Sequence, residues 1–310
     1  MNNLEPINQT KLFGLDKYIS ELIQLYKNSK LPNKILLSGP KGLGKSTLAF
    51  HFINFILSQN EDSSYDAINF VINAENHSFK TVINGSNLNF FLIDIDLKYK
   101  SINIDQIRDL ISQLNKSSLN NKPRFILIDN IEFLNTNSIN ALLKVLEEPS
   151  SNIYFILINN NKKILPTLLS RCINFKFSLT NQESKLIASK LLGEDINEFI
   201  NDDLINYYIS PGNLYNLIKF GIDNDYDLKN LNLDQFLKKI IKKNHYKNDN
   251  LIKYLIFELI EFYFTKINSL ISSDFFNKYH YFIKRISDTR KFNLDEESLF
   301  LEFENKILNE

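Results

Sequence analysis

Apolar positions follow two rhythms along this chain. In the first half, the short runs "KILLS" (34–38), "FFLIDI" (90–95), "RFILID" (124–129) and "IYFILIN" (153–159) are continuous, and they are separated by stretches with three- and four-residue spacing. Continuous runs of this length predict strands buried on both faces, and the periodic stretches predict amphipathic helices. "ISELIQLYKNSK" places Ile19, Leu22, Ile23 and Tyr26 on one helical face, and "STLAFHFINFIL" continues helically from Ser46. Further helices are expected near 103–115 and 136–148. The second carries Ile139, Leu142, Leu143 and Leu146 on one face, is closed by Pro149, and leaves Glu147 and Glu148 as a solvated pair. Strands alternating with helices predict a parallel sheet covered on both sides, so residues 1–178 read as one α/β domain.

From "LTNQESKLIASKLL" onward the rhythm is almost wholly helical. Thr180 followed by Glu183 has the spacing of a capping box, in which each side chain satisfies the other's backbone N–H. "SPG" at 210–212 breaks a helical cluster that fits a four-helix lid ending near Phe220, with the lid domain taken as 179–222. "GIDNDYDLKNLNLD" is polar and holds Gly221, which makes it the expected linker to a helical domain over 223–310. There the aromatics of "YLIFELIEFYF" and "FFNKYHYFIKRI" suit a core or subunit interface, and "LKKIIKKNHYK" (237–247) suits a solvated helix face. Residues 58–89 form a polar insertion with no role legible in their pattern.

Composition narrows the field. The 310 residues are 44% hydrophobic and 23% charged, enough for two or three cored domains. Lys and Arg number 36, as do Asp and Glu, so no net field argues for a nucleic-acid or membrane surface, and any DNA contact must be local or shared. "MNNLEPINQT" lacks the pattern of a secretory signal, and no stretch approaches the roughly 20 apolar residues of a membrane span, so the cytoplasm is the expected location. Cys172 is alone, and His51, His77, His245 and His280 show no ligand spacing. No disulfide, no zinc and no metal beyond one carried with a nucleotide is therefore expected. Abundant Asn, Ile and Lys without Trp read as codon bias, which weakens Asn-rich stretches as markers of loops.

The chemistry concentrates in "GPKGLGKST" (39–47), which matches G-x-x-x-x-G-K-[ST] between an expected strand and an expected helix. Gly39, Pro40, Lys41, Gly42, Leu43 and Gly44 form a loop whose amides and positive helix end suit phosphates. Lys45 is expected at the β and γ phosphates, Ser46 on magnesium and Thr47 at the α phosphate. Asp129 closes the run "FILID" and is expected to hold the same magnesium, although a strand-end carboxylate also caps turns. The next residue is Asn130, where a glutamate would polarise the attacking water. A positioned base is worth roughly 10² to 10⁴ in rate, and a neutral amide cannot take the proton. Glu132 substitutes only if the strand end bends suitably.

"KLFGLDKYISELI", "LPNKILLSGPKGLGKSTLA", "NIDQIRDL", "NALLKVLEEP" and "LPTLLSRC", in this order over residues 10–175, resemble bacterial clamp-loader subunits of the AAA+ class, most closely the delta-prime type of DNA polymerase III. The resemblance implies a P-loop AAA+ domain, a helical lid and an all-α collar that joins five subunits in a ring. It also implies ATP or ADP with Mg²⁺ as cofactor, and partners among gamma, tau and delta-type subunits, the sliding clamp and primer-template DNA. By the same resemblance Arg171 is an arginine finger offered to a neighbouring subunit's nucleotide, and Asn160 reads the γ phosphate, with Asn159 as the alternative. Two departures stand out. "SPGNLYNL" offers Asn213 and Tyr215 where related motors carry a lid arginine, and the four-cysteine zinc module of many relatives is missing.

These features favour a subunit that binds nucleotide with weak or no hydrolysis and activates a neighbour during clamp loading. A hydrolysing gamma/tau-type ATPase is the alternative kept open by the intact loop. A P-loop kinase or GTPase is more remote: "NKKI" (161–164) lacks the aspartate of a guanine-binding motif.

Overall fold

The computed structural model describes residues 4–309 apart from 96–100, 117–119, 148–151, 207–208, 248–249, 267–272 and 293, so Glu148 and Pro149 lie outside the described residues. In chain order the elements are α1 (Asp16–Lys27), β1 (Lys34–Ser38), α2 (Lys45–Leu57), α3 (His77–Ile83), β2 (Phe90–Ile93), α4 (Ile104–Leu114), β3 (Arg124–Ile128), α5 (Thr136–Glu147), β4 (Ile153–Asn159), α6 (Pro166–Leu169) and β5 (Ile173–Lys176). They continue with α7 (Asn181–Leu192), α8 (Pro211–Asp223), α9 (Leu233–Lys242), α10 (Asn250–Lys266), α11 (Ser273–Phe292) and α12 (Glu296–Phe303). Two compact units result, Met1–Leu191 with Ser210–Asn213 and Leu192–Ile209 with Leu214–Glu310.

The first unit is built on a five-stranded sheet in the order β2-β3-β4-β1-β5, every pairing parallel. Alternate residues along each central strand enter different cores. Phe125 and Leu127 of β3, Ile35 and Leu37 of β1, and Ile156 and Ile158 of β4 pack with α1 and α2. Ile126 and Ile128, Leu36, and Phe155 and Leu157 pack on the other face with α4 and α5. Strands need continuous apolar runs here because both faces are covered, and each buried Phe, Leu or Ile is worth roughly 1.5–3 kcal/mol. This is the α/β P-loop architecture with a parallel sheet expected from the sequence, followed by an all-helical region. The capping box is also present: Thr180 N–H donates to Glu183 Oε2 at 2.7 Å and Glu183 N–H to Thr180 Oγ1 at 3.2 Å.

Three differences from the sequence expectations have physical causes. β5 was hidden because it is an edge strand, paired only with β1, and Ile173 and Asn174 stay exposed. Among its described residues, the stretch expected as a four-helix lid holds two helices, α7 and α8, with single 3₁₀ turns at Ile196–Glu198 and Asp202–Leu204 between them. The expected linker is packed rather than loose. Tyr226, Leu228, Leu231 and Leu233 are buried, and Gly221 sits within α8, where a Cβ would come within 2.5 Å of Leu228. Its glycine marks a close contact, not a hinge. In the second unit part of the aromatic set forms core, with Phe264 against Phe275, Tyr279, Phe282 and Phe303, while Tyr254, Phe276 and Tyr281 stay exposed. Among the described residues no helix is long and apolar enough to cross a membrane.

The polar insertion, residues 58–89, supports α2, the helix that follows the loop. Asn54 of α2 and Asn76 exchange reciprocal amide hydrogen bonds at 3.2 and 3.0 Å, and Asn76 also caps α3 by accepting from Phe79 N–H at 2.6 Å. Glu61 accepts from the backbone and hydroxyl of Ser78. His51, fully buried, lies between the Tyr65 hydroxyl at 3.0 Å and the Gln9 carbonyl at 3.1 Å. A carbonyl can only accept, so Nε2 carries the proton and Nδ1 accepts from Tyr65. Burial pushes the His51 pKa down to about 4.

This depressed value gives a pH prediction. Between roughly pH 6.5 and 4 the unfolded chain binds a proton at His51 that the folded chain refuses, so stability falls as pH drops through that window, by up to about 3 kcal/mol. Urea unfolding of wild type and His51→Gln across pH 4–7 should show a wild-type stability advantage that shrinks toward pH 4. A constant difference would mean that His51 titrates normally.

Candidate functional site

Parallel strands deliver their C-terminal ends to one edge of the sheet, which is where ligands bind in open α/β folds. At that edge β1 leads into the loop 39–44, β3 into Asp129 and Asn130, β4 into Asn160, and β2 into Asp94. The β2–β3 register pairs Ile93 with Ile128, so Asp94 and Asp129 leave adjacent strands side by side.

The loop is shaped by close approaches. Gly42 has φ +83°, and a Cβ there would lie 2.4 Å from Ser210 Oγ and 3.2 Å from the Asn213 backbone nitrogen. Gly212 N–H donates to Gly42 O at 3.0 Å, and Gly212 itself lacks room for a side chain against Gly42. The start of α8, which clusters with the first unit, thus braces the loop through a glycine pair. Leu43 turns inward and is buried in the core, Gly44 reaches φ +84° and caps α2, Lys41 is exposed, and Ser46 and Thr47 are half-buried at the first turn of α2.

Lys45 is only 3% exposed. Its ammonium donates to Gly39 O at 2.8 Å, Pro40 O at 2.7 Å and Asn160 Oδ1 at 3.0 Å. Burial pushes its pKa down to about 8, opposed by the charges of Asp129 and Glu132 and assisted by that of Lys41. Ser46 Oγ donates to Asp129 Oδ2 at 2.5 Å, and Asp129 Oδ1 accepts from Asn130 N–H at 2.8 Å. Burial raises the Asp129 pKa against the pull of the Ser46 hydrogen bond, with the charge of Asp94 adding to the rise.

Asn160, not Asn159, is the residue beside Lys45. The Asn159 amide instead closes a local turn with Lys162, at 2.9 and 3.2 Å. Asn130 adopts the left-handed region at φ +55°. Its Nδ2 donates to Asp94 Oδ1 at 2.7 Å, and its Oδ1 accepts from Asn160 Nδ2 at 2.8 Å. The residues after it form a 3₁₀ turn (Ile131–Phe133), so strand alternation stops at β3. The bend still brings Glu132 to the site, where Oε2 accepts from Asn160 N–H at 3.3 Å. Glu132 therefore arrives through the turn at Asn130 rather than along Asp129's face of the strand.

Arg171 follows α6. Nη1 donates to Thr167 O at 2.9 Å and Nη2 meets Glu147 Oε1 at 2.6 Å. Neither partner belongs to the phosphate-type loop, and Glu147 is an ion-pair partner rather than a purely solvated carboxylate. Sequence reasoning passed over Asp94, although "FFLID" and "FILID" end alike and a parallel pair in register would have set their aspartates together.

Chemically, the set fits a magnesium nucleotide. A glycine-lined loop at the start of a helix, a desolvated ammonium met only by neutral oxygens, and a hydroxyl touching a carboxylate suit phosphate and a hard cation. Among the described residues no group of three or more His, Cys, Asp or Glu could hold a metal ion. A cation here would draw most of its ligands from phosphate and water.

A family model described as DNA polymerase III, delta subunit, matches residues 14–181, more than half of the chain. The DNA polymerase III subunit delta' of Buchnera aphidicola subsp. Schizaphis graminum is 26% identical over 298 residues, covering 88% of this chain and 84% of that protein. The subunit delta' of Pseudomonas aeruginosa is 30% identical over 151 residues, 48% of this chain and 44% of the relative. The Buchnera subunit gamma is 28% identical over 179 residues, 57% and 47% respectively. The chain thus spans less than half the length of the last two relatives. Among solved structures, a DNA polymerase III gamma subunit-related protein from Thermotoga maritima is 19% identical and covers 93% of this chain and 92% of its own, with a TM-score of 0.40.

The glycine brace yields a comparison. Gly42→Ala incurs both a strained φ and the contact with Ser210 and Asn213, whereas Gly85→Ala, at φ +67° with nothing within 4 Å of a Cβ, incurs the strain alone. Unfolding should show Gly85→Ala costing about 1 kcal/mol and Gly42→Ala about 1–2 kcal/mol more. Equal losses would mean that the start of α8 does not brace the loop.

Proposed function

The chain belongs to the DNA polymerase III delta subunit family, and from that premise we propose that it is a delta-prime-like clamp-loader subunit that holds ATP or ADP with Mg²⁺ but hydrolyses it weakly or not at all. In this reading it offers Arg171 to the nucleotide of a neighbouring ATPase subunit within a ring of five, and so helps load the sliding clamp on primed DNA. The α/β domain of residues 1–178 holds nucleotide, 179–222 is the lid, and 223–310 is the collar that joins gamma, tau and delta-type partners.

The observation that carries the proposal is the use made of Asn130. Its side chain stands where a water-polarising carboxylate would, and both ends of its amide are spent, on Asp94 and on Asn160. An amide cannot accept the proton of an attacking water. The binding parts remain: Gly39 to Gly44 and Thr47 frame the phosphates, Lys45 contacts them with Asn160 beside it, and Ser46 and Asp129 hold the cation. Magnesium, when bound, supplies charge neutralisation of the phosphates. Arg171 is tethered by a surface ion pair, a class worth about 0–1 kcal/mol, so its release toward a neighbour is cheap.

Reconstitution with gamma, tau and delta-type partners and a sliding clamp tests the trans role. Arg171→Ala should leave folding stability within about 1 kcal/mol of wild type while partner-dependent ATP hydrolysis falls by roughly 10³-fold or more. Hydrolysis and clamp loading at wild-type levels would sink the assignment. A gamma/tau-type ATPase is the second reading, favoured by Glu132 reaching Asn160. ATP turnover by the isolated chain, abolished by Lys45→Ala, would establish it over the first.

The depressed Lys45 pKa gives a separate check. Phosphates raise the pKa of an adjacent ammonium, so binding between about pH 8 and 10 should take up a proton, and affinity should fall as pH rises through 8. Calorimetry of ADP binding in buffers of different ionisation enthalpy reads the proton uptake directly. Uptake of no protons at pH 9 would remove Lys45 from the phosphate site.

A further inference from the structure

The hydrogen bonds at the sheet edge form a relay with a direction. Lys45 can only donate and the Asp94 carboxylate can only accept, and between them lie two amides, Asn160 and Asn130. An isolated amide can be turned either way, but with both ends of the relay set only one arrangement makes every bond. Lys45 Nζ donates to Asn160 Oδ1 at 3.0 Å, Asn160 Nδ2 to Asn130 Oδ1 at 2.8 Å, and Asn130 Nδ2 to Asp94 Oδ1 at 2.7 Å. Asp94 Oδ1 is itself held by Ile95 N–H at 2.7 Å, so the acceptor end is anchored to backbone.

We propose that Asp94 is a positioning residue which, acting through Asn130, fixes the orientation of the Asn160 amide and thereby sets how strongly the chain prefers nucleoside diphosphate over triphosphate. The proposal rests on the nucleotide-holding reading above and adds a residue to it. Phosphate oxygens accept hydrogen bonds, so a group that reads a terminal phosphate must present a donor. In this relay the Asn160 donor is committed to Asn130, and its carbonyl oxygen faces the loop lysine. The Asp94 carboxylate enforces that polarity because it accepts from Asn130 and has no proton to give. When nucleotide draws the Lys45 ammonium from Asn160 Oδ1 to phosphate, the Asp94 end alone fixes the relay; an amide at position 94 can donate instead, which then lets the relay reverse and turns Asn160 Nδ2 toward a third phosphate. Asp94 is exposed and Asp94→Asn nearly preserves its shape, so the change alters polarity with little effect on packing.

The test is a double-mutant cycle on ligand affinity, with dissociation constants measured for MgADP and for the magnesium complex of a β,γ-imido ATP analogue. In an otherwise wild-type chain, Asp94→Asn should shift the preference toward the triphosphate analogue by about tenfold, the scale of one charge-assisted hydrogen bond. In an Asn130→Ala background the same substitution should shift it by less than about twofold, because the relay is already cut. Shifts of equal size in both backgrounds would mean that the Asp94 charge acts directly on the ligand, and no shift in either would mean that it does not act; both overturn the proposal while the nucleotide-holding reading stands. If the wild-type chain binds neither ligand, that reading falls and the proposal with it. A second readout accompanies the cycle: with MgADP bound, the side-chain amide resonances of Asn160 should move in Asp94→Asn, and unchanged resonances would also overturn the relay.

Discussion

A buried ammonium persists only where oxygens meet it, and most of the first unit can be traced to how Lys45 is met. Two of its three partners are carbonyls of its own loop and the third is the Asn160 amide at the end of β4. To bring these together, β1 and β4 must be parallel neighbours, and Gly39 N–H donating to Asn159 O continues that pairing into the loop. The glycine pair Gly42 and Gly212 then holds the loop's far side close to the start of α8. A side chain at either position would push the brace away and loosen the loop that supplies those carbonyls.

The same edge shows how the terminal side chains of three strands are tied together. Asp129 keeps contact with Ser46, while Asn130 links β2, β3 and β4 through their terminal side chains. An amide serves this bridging better than a carboxylate would, because a glutamate facing Asp94 would place two negative charges together. The bridge and the absence of a carboxylate at position 130 are therefore two consequences of one residue.

Support from further away is polar as well as apolar. The helix that starts at Lys45 is buried almost all round, and the insertion 58–89 completes its shell with paired polar groups: Asn54 with Asn76, His51 with Tyr65, Glu61 with Ser78. Each pair satisfies groups that would otherwise be costly to bury. In the second unit, Phe264 and its aromatic neighbours form core by edge-on and stacked contacts.

The strands that are buried on both faces, the helices between them and the strand-loop-helix around Lys45 were legible from the chain alone. Continuous apolar runs, three- and four-residue periodicity and a glycine-rich motif are local signals that the fold cannot easily contradict. Tertiary structure decided what depends on partners distant in the chain. Asp94 meets Asn130 only because β2 and β3 pair in register, Glu132 reaches Asn160 only because Asn130 turns left-handed, and Gly42 is confined by residues nearly 170 positions away. β5, the insertion and the packed segment after α8 were illegible for the same reason. An edge strand, buried asparagine pairs and a glycine under Leu228 look in sequence like loop, and only their neighbours in space make them structure.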